Sequence, residues 1–179
     1  MRQDSLVTKY SSGSKWLHWM VAIIVLSMLC GSFFLDSLPE SMKGNAYMLH
    51  KSFGLTVLFL MLMRIFWISR VGRPPLPDSV ATWEKWLSRL VQYCLYVLLL
   101  VMPLCGWIMS VSANRTPVYF GLFSMPLAGI PVDEALSKFM NQAHVTIAWI
   151  LVGLVSLHIV GALKHYFFDK DNVLQRMLR

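Results

Sequence analysis

Apolar residues in this chain run in long unbroken blocks, not in the every-third-or-fourth spacing of a half-buried helix. The first block, WLHWMVAIIVLSMLCGSFFL, holds twenty residues from Trp16 to Leu35, bounded by Lys15 and Asp36. Uncharged stretches of twenty-five residues follow between Arg89 and Arg115 and between Lys138 and Lys164. A fourth, Tyr47 to Ile68, carries Lys51 near one end and Arg64 near the other, but its middle, SFGLTVLFLMLM, is too apolar to rest in water. About 20 apolar residues cross a ~30 Å hydrocarbon core. The pattern therefore predicts an all-α membrane protein, a four-transmembrane-helix bundle forming one domain over residues 1–179. Its spans are expected near residues 16–35, 47–68, 90–111 and 140–163.

The connections agree with that division. The segment DSLPESMKGN after Leu35 is short and polar, and SRVGRPPLPDSVATW is a proline-rich turn. Between Ser112 and Ser137, Pro117, Pro126, Gly129 and Pro131 predict an irregular cap on one face of the bundle. No repeat and no soluble terminal domain is expected. The first block is read as a true span: it ends in FFLDS without a small-residue cleavage pattern, and bulky Met28 and Leu29 precede Cys30 where a lipoprotein signal needs small residues.

Composition sharpens the picture. The chain is 56% hydrophobic and 14% charged, against ~45–50% and ~25% in soluble domains, which excludes an ordinary water-soluble enzyme and a disordered chain. The net charge of +7 first admits nucleic acid as a partner. Its distribution removes that reading. Placing both termini and the second loop on one side gathers Arg2, Lys9, Lys15, Arg64, Arg70, Arg73, Lys85, Arg89, Lys164, Lys170, Arg176 and Arg179 there, against Asp4, Asp78, Glu84, Asp169 and Asp171. The other side balances Lys43, Lys51, Arg115 and Lys138 against Asp36, Glu40, Asp133 and Glu134. The whole excess is thus a topology signal, and by the positive-inside tendency both termini are expected in the cytoplasm.

The chemistry of the spans lies in five histidines, His18, His50, His144, His158 and His165. A single membrane histidine is as often a packing or interfacial residue as a functional one. Their joint placement argues for more. His18 and His158 fall ~12 Å and ~9 Å to the cytoplasmic side of their helix centres, and His50 and His144 each ~12 Å to the outer side. Two levels result, each with two histidines from different helices. His144 and His158 are fourteen residues apart, which on one helix means ~21 Å of rise and a rotation only ~40° short of whole turns. Both imidazoles are therefore expected to face one seam. Two facing imidazoles at one level suit axial ligation of one haem iron, and two levels predict two haems. A zinc or copper site would need more ligands at one point. Cys30, Cys94 and Cys105 are isolated thiols, read as small core residues, and without a C-x-x-C-H sequence any haem is noncovalent, of b type. The span glycines are read as permissive for helix packing.

Arg64 lies fourteen residues after His50, so the same rotation places it on the seam at the cytoplasmic level. Inner-haem propionates would satisfy it; snorkelling to lipid headgroups is the competing reading. His165, seven residues beyond His158, reads as a spare axial ligand, an interfacial residue or a proton-accepting quinone partner.

The residues resemble the bacterial cytochrome b561 family, small four-helix di-haem cytochromes related to the b-type subunit of nickel-iron hydrogenases. The matching features are Leu17-His18-Trp19, His50-x-Ser52-x-Gly54, Arg64, Pro103-x-x-Gly106, Phe120-Gly121-Leu122 before Met125-Pro126, the His144 and His158 pair, His165-Tyr166-Phe167 and Lys170-Asp171-Asn172. The resemblance implies that His18 and His158 hold an inner haem and that His50 and His144 hold an outer one. It implies a multi-pass protein of the bacterial inner membrane, with a quinone or quinol site near the cytoplasmic end for which His165 is a candidate. It implies electron transfer between the ubiquinone pool and a periplasmic small molecule or protein, superoxide being oxidised in some members. Lys164-His165 departs from relatives with two adjacent histidines, which puts the quinone contacts in question. Lys51, Arg115 and Lys138 on the outer rim would draw an anionic reactant, and ordinary solvated loop charge is the plain alternative for each. Two other functions compete: a haem-bearing anchor subunit of a larger respiratory enzyme, docked through residues 112–137, and a His-lined metal or proton transporter.

Overall fold

The computed structural model describes residues 9–75, 77 and 79–178. Arg2, Asp4, Asp78 and Arg179, counted above in the charge asymmetry, lie outside the described residues. Four helices long and apolar enough to cross a membrane dominate the structure. They are α1 (Ser12–Ser32), α2 (Glu40–Val71), α3 (Thr82–Ser112) and α4 (Glu134–Lys164). A two-stranded hairpin, β1 (Val118–Tyr119) and β2 (Phe123–Ser124), lies between α3 and α4. One π-helical turn (His165–Asp169) and a short α5 (Gln175–Leu178) close the chain.

The helix ends follow local chemistry more than hydropathy. Ser11 Oγ accepts the Ser14 N–H and starts α1 early, at a polar turn that the apolar block omits. That helix stops at Ser32, and Phe33 to Leu35, expected inside the span, form turns instead. Asp133 caps α4 by accepting from Leu136 N at 2.9 Å, so α4 begins six residues before the expected Met140. Gly72 ends α2 at φ 79°, where a side chain would be strained. With 32 residues α2 is ~48 Å long, longer than the ~30 Å hydrocarbon core, so its polar ends emerge from the lipid.

The core is narrow. Val21, Val25 and Leu29 form one stripe of α1 and pack on Val57, Leu60 and Met61 of α2. On the outside, Trp16, Ile23, Phe66, Trp149 and Val160 are exposed, the inverse of a water-soluble surface and the form suited to lipid. Along the bundle α3 packs against α4, and α2 packs against both α1 and α3. Extended contact between α1 and α4 is missing among the described residues. Of the three cysteines, Cys105 is buried and Cys94 partly so, but Cys30 is exposed, which corrects its reading as a core residue. It sits beyond the α1 stripe that faces α2.

The expected irregular cap is organised by the hairpin. Phe120 and Gly121 take φ of 45° and 76° at its tip. Ser52 on α2, wholly buried, anchors it: Oγ accepts from Phe120 N at 2.8 Å and lies 2.8 Å from the Met48 carbonyl and 3.3 Å from the Val118 carbonyl. The Thr56 and Tyr119 hydroxyls meet at 3.1 Å, and Trp107 Nε1 donates to the Met125 carbonyl at 2.9 Å. At the opposite end the start of α1 and the segment after the π-helical turn come together with α2 and its loop. Trp67 Nε1 donates to Ser11 Oγ at 2.9 Å, Trp19 Nε1 to the Met177 carbonyl at 3.1 Å, and Arg176 to the Pro75 carbonyl. Replacing Ser52 by Ala strands the Phe120 N–H, which costs about 1–3 kcal/mol. The expected result is a lower melting temperature of the detergent-solubilised protein; an unchanged melt would count against the anchor.

Candidate functional site

The bundle brings four of the predicted histidines together in two pairs. His50 on α2 faces His144 on α4 with ring centroids 6.1 Å apart and planes at 69°. His18 on α1 faces His158 on α4 at 6.2 Å and 72°. Fourteen residues separate the two α4 members, ~21 Å along the axis. Neither pair is a hydrogen bond between the rings, and the near-identity of two unrelated pairs calls for a common cause. Each imidazole–metal bond is ~2 Å and the step from ring nitrogen to ring centre adds ~1 Å, so two imidazoles on opposite sides of one metal have centroids ~6 Å apart.

The surroundings are consistent with a flat apolar group. A cavity of about 380 Å³ surrounds the His50 and His144 level, lined by Val25 and Leu29 of α1, Gly54 of α2, Pro103 and Gly106 of α3, and Ala148 and Leu151 of α4. That volume is in the range of small-molecule and cofactor sites. Lys51, Asp36 and Tyr47 line the same cavity, and Tyr47 donates to Asp36 at 2.7 Å. At the other level Nε of Arg64 is buried with no partner, a polar atom that a ligand with an acidic edge would satisfy, and Nδ1 of His18 is likewise buried without one. The donor set and the lining thus fit haem. No cysteine belongs to either pair.

Arg64 holds the seam position that its spacing from His50 predicted. Its guanidinium lies 5.3 Å from the Tyr96 ring centre, and Arg73 covers the same ring at 5.1 Å. Tyr10 lies among Arg73, Tyr96, Arg64 and Arg176. Burial raises the Tyr10 phenol above its ordinary value, against the opposing pull of Arg73, so it remains a neutral hydroxyl and supplies no counter-charge. Two closely placed guanidiniums with tyrosines for neighbours form a site receptive to carboxylate.

His165 stands apart from both pairs, on the π-helical turn. Its Nδ1 lies 2.7 Å from Asp171 Oδ2 and 3.1 Å from Asp169 Oδ2. The other Asp171 oxygen accepts from Val173 N at 3.0 Å, and Lys170 at φ 52° turns the chain so that Asp171 reaches back. His165 and Asp171 side chains are only 13% and 10% exposed. Glu84, His165 and Asp169 place ligand atoms close together, but Lys164 Nζ already bridges Glu84 at 2.6 Å and Asp169 at 2.7 Å. A lysine ammonium there does the work of a cation. Sequence reasoning treats Glu84 only as loop charge and Asp171 only as charge and as part of the family pattern, and passes over Tyr96, because the search for chemistry keeps to ionisable groups within the spans.

A lipid-embedded four-helix bundle with internal histidine pairs and an apolar slot defines the class of membrane b-type cytochromes. The chain belongs to the prokaryotic cytochrome b561 family, whose profile it matches over residues 9–179. It is similar to "Cytochrome b561 homolog 2" of Escherichia coli (strain K12), 33% identical over 175 residues, covering 95% of this chain and 91% of the relative. It is similar to "Probable superoxide oxidase CybB" of Yersinia pestis, 27% identical over 170 residues, covering 95% and 96%. "Cytochrome b561 homolog 1" of Escherichia coli (strain K12) is 23% identical over 176 residues, covering 96% and 98%. The protein is therefore a bacterial membrane electron-transfer protein of a family that binds b-type haem.

Replacing Asp171 by Ala removes the bonds to His165 and Val173 that hold the chain after the π-helical turn. Loss of a charged hydrogen bond is worth about 1.5–3 kcal/mol, so trypsin cleavage after Lys170 is expected to accelerate at least roughly tenfold. Equal cleavage rates would show that the turn stands without Asp171.

Proposed function

We propose that this protein carries electrons across the bacterial inner membrane between a reactant at the hairpin face and the ubiquinone pool at the His165 face. In this reading two b haems are bound, one by His18 and His158 and one by His50 and His144. The matched 6.1 Å and 6.2 Å pairs are the observation that carries it. Haem held by these histidines would supply one-electron exchange, with the imidazoles as its protein ligands.

The residues divide the remaining work. The four histidines position the two cofactors in opposite leaflets, and the apolar lining excludes water from them. Arg64, with Arg73 beside it, receives propionates at the inner level. His165, held by Asp171, accepts or supplies a proton to quinone, which takes up two protons with two electrons on becoming quinol. The excess of positive charge at the end where α1 begins and α4 ends supports a cytoplasmic location for that face.

The name of the Yersinia pestis relative supports superoxide as the outer reactant. Each superoxide gives up one electron and leaves as dioxygen, so two are consumed per quinone. Lys51 and Arg115 are the local cations for such an anion: Lys51 lines the cavity and its Nζ donates to the Arg115 carbonyl at 3.2 Å. Lys138 is paired with Glu134 at 2.7 Å on an exposed surface, which offsets part of its charge. A second reading, an anchor subunit, has one observation in its favour. Leu122 and Val132 are 77% and 70% exposed on the capped face, beyond the spans, where a partner subunit would cover them. A stoichiometric co-purifying subunit would favour that reading.

The wild-type extract is expected to be red, with a b-type spectrum and two haems per chain, and His144→Ala and His158→Ala each to retain one. Two haems in both variants would refute the ligand pairing. Anaerobic mixing of oxidised protein with superoxide, and separately with ubiquinol, is expected to reduce haem within the mixing experiment in both cases. No reduction by either would refute the functional reading. Arg64→Leu removes a buried positive charge and is expected to lower the midpoint potential of one haem only; a redox titration identical to wild type would remove Arg64 from the site.

A further inference from the structure

Two helix glycines face a ring at close range, Gly13 against Trp67 at the start of α1 and Gly106 against His144 within the bundle. A Cβ at Gly106 would stand 3.1 Å from Cε1 and 3.2 Å from Nδ1 of His144, atoms of a rigid ring. Gly31, Gly153 and Gly161 would meet nothing within 4 Å, and Gly54 only the Met28 methyl at 3.8 Å. The imidazole thus lies directly on the surface of α3 where that helix has no side chain.

At the same place His144 Nδ1 lies 3.0 Å from the Met102 carbonyl. A carbonyl only accepts, so Nδ1 carries the proton and Nε2 is the nitrogen left with a lone pair. Met102 precedes Gly106 by four residues, one turn of α3, so ring contact and hydrogen bond share one groove. Pro103 lies within that turn, and a proline inside a helix loosens the local ladder because it has no N–H to donate. The inner pair differs: His18 Nδ1 is buried with no acceptor.

The geometry points to Gly106 and the Met102 carbonyl as the positioning device for His144. The bare glycine admits the ring, and the carbonyl fixes its tautomer with Nε2 turned to the task of ligand. This rests on the reading of His144 as a haem ligand. An imidazole whose second nitrogen donates to a carbonyl is the stronger electron donor to a metal. A haem ligated by His144 would therefore be drawn toward its ferric state by this bond, one that His18 does not make at the inner level.

The test uses the haem-loaded protein in detergent, with optical redox titration and low-temperature electron paramagnetic resonance. Gly106→Ala obliges the His144 ring to give way, which strains the bond to the Met102 carbonyl, and is expected to raise the midpoint potential of one haem only, by ~59 mV for each tenfold loss of ferric preference. The low-spin signal of that haem is expected to shift with the ligand plane, while Gly153→Ala leaves both haems as in wild type. Gly106→Leu is expected to weaken retention of the same haem ~10–100-fold, the surviving spectrum of the other reporting that the bundle still folds. Unchanged potentials and signals in Gly106→Ala, or loss of both haems or of neither in Gly106→Leu, would overturn the positioning role. His144→Ala separates the two claims. If it loses one haem while the Gly106 variants change nothing, only the positioning role fails; if it loses none, the ligand reading fails with it.

Discussion

Hydrocarbon offers no hydrogen bonds, and every polar atom placed inside it must find its partner in the protein or in a bound group. That constraint organises this molecule. Ser52 meets it by joining α2 to the hairpin, and Trp67 by reaching Ser11. Four imidazoles do so only in part, His144 through the Met102 carbonyl. They face one another across gaps too wide for a hydrogen bond, and the bundle leaves α1 and α4 without extended contact, as a slot for a flat ligand requires.

The two ends of the bundle are built for different company. At the hairpin end charges balance, backbone hydrogen bonds tie the cap down, and the cavity is bordered by Lys51, Asp36 and Tyr47. At the other end Arg64 and Arg73 share the Tyr96 ring, and a compact network runs from Glu84 through Lys164 to Asp169. Surface charges at such distances are screened in water, but those half-covered by protein at a membrane face keep more of their effect. The asymmetry that reads as net charge in the sequence is, in three dimensions, a difference in how each end meets ions.

Much of this was legible beforehand. Block hydropathy located four spans, and the spacing of fourteen between His144 and His158 placed both on one seam because helical rotation is arithmetic. The same arithmetic placed Arg64. Helix ends were not legible from hydropathy, because Ser11, Asp133 and Gly72 decide them through caps and backbone freedom. The cap between α3 and α4 read as irregular because its hairpin has only two residues in each strand, too short for an alternating pattern. Cys30 was misplaced because composition cannot tell a lipid-facing thiol from a core one. Gly106 read as generic packing, since its neighbour, His144, is thirty-eight positions away and only the fold brings them together.

The histidine pairs also bear on how the molecule is made. Each pair takes one member from the first two helices and the other from α4, the last of the four spans to be synthesised. Under the proposed ligation, neither half of the chain can hold iron at both axial positions. Helices α1 and α2 can therefore enter the bilayer and pack without capturing cofactor prematurely. Arrival of α4 completes both sites together, and each bound haem then acts as a clasp between the early and late halves of the chain.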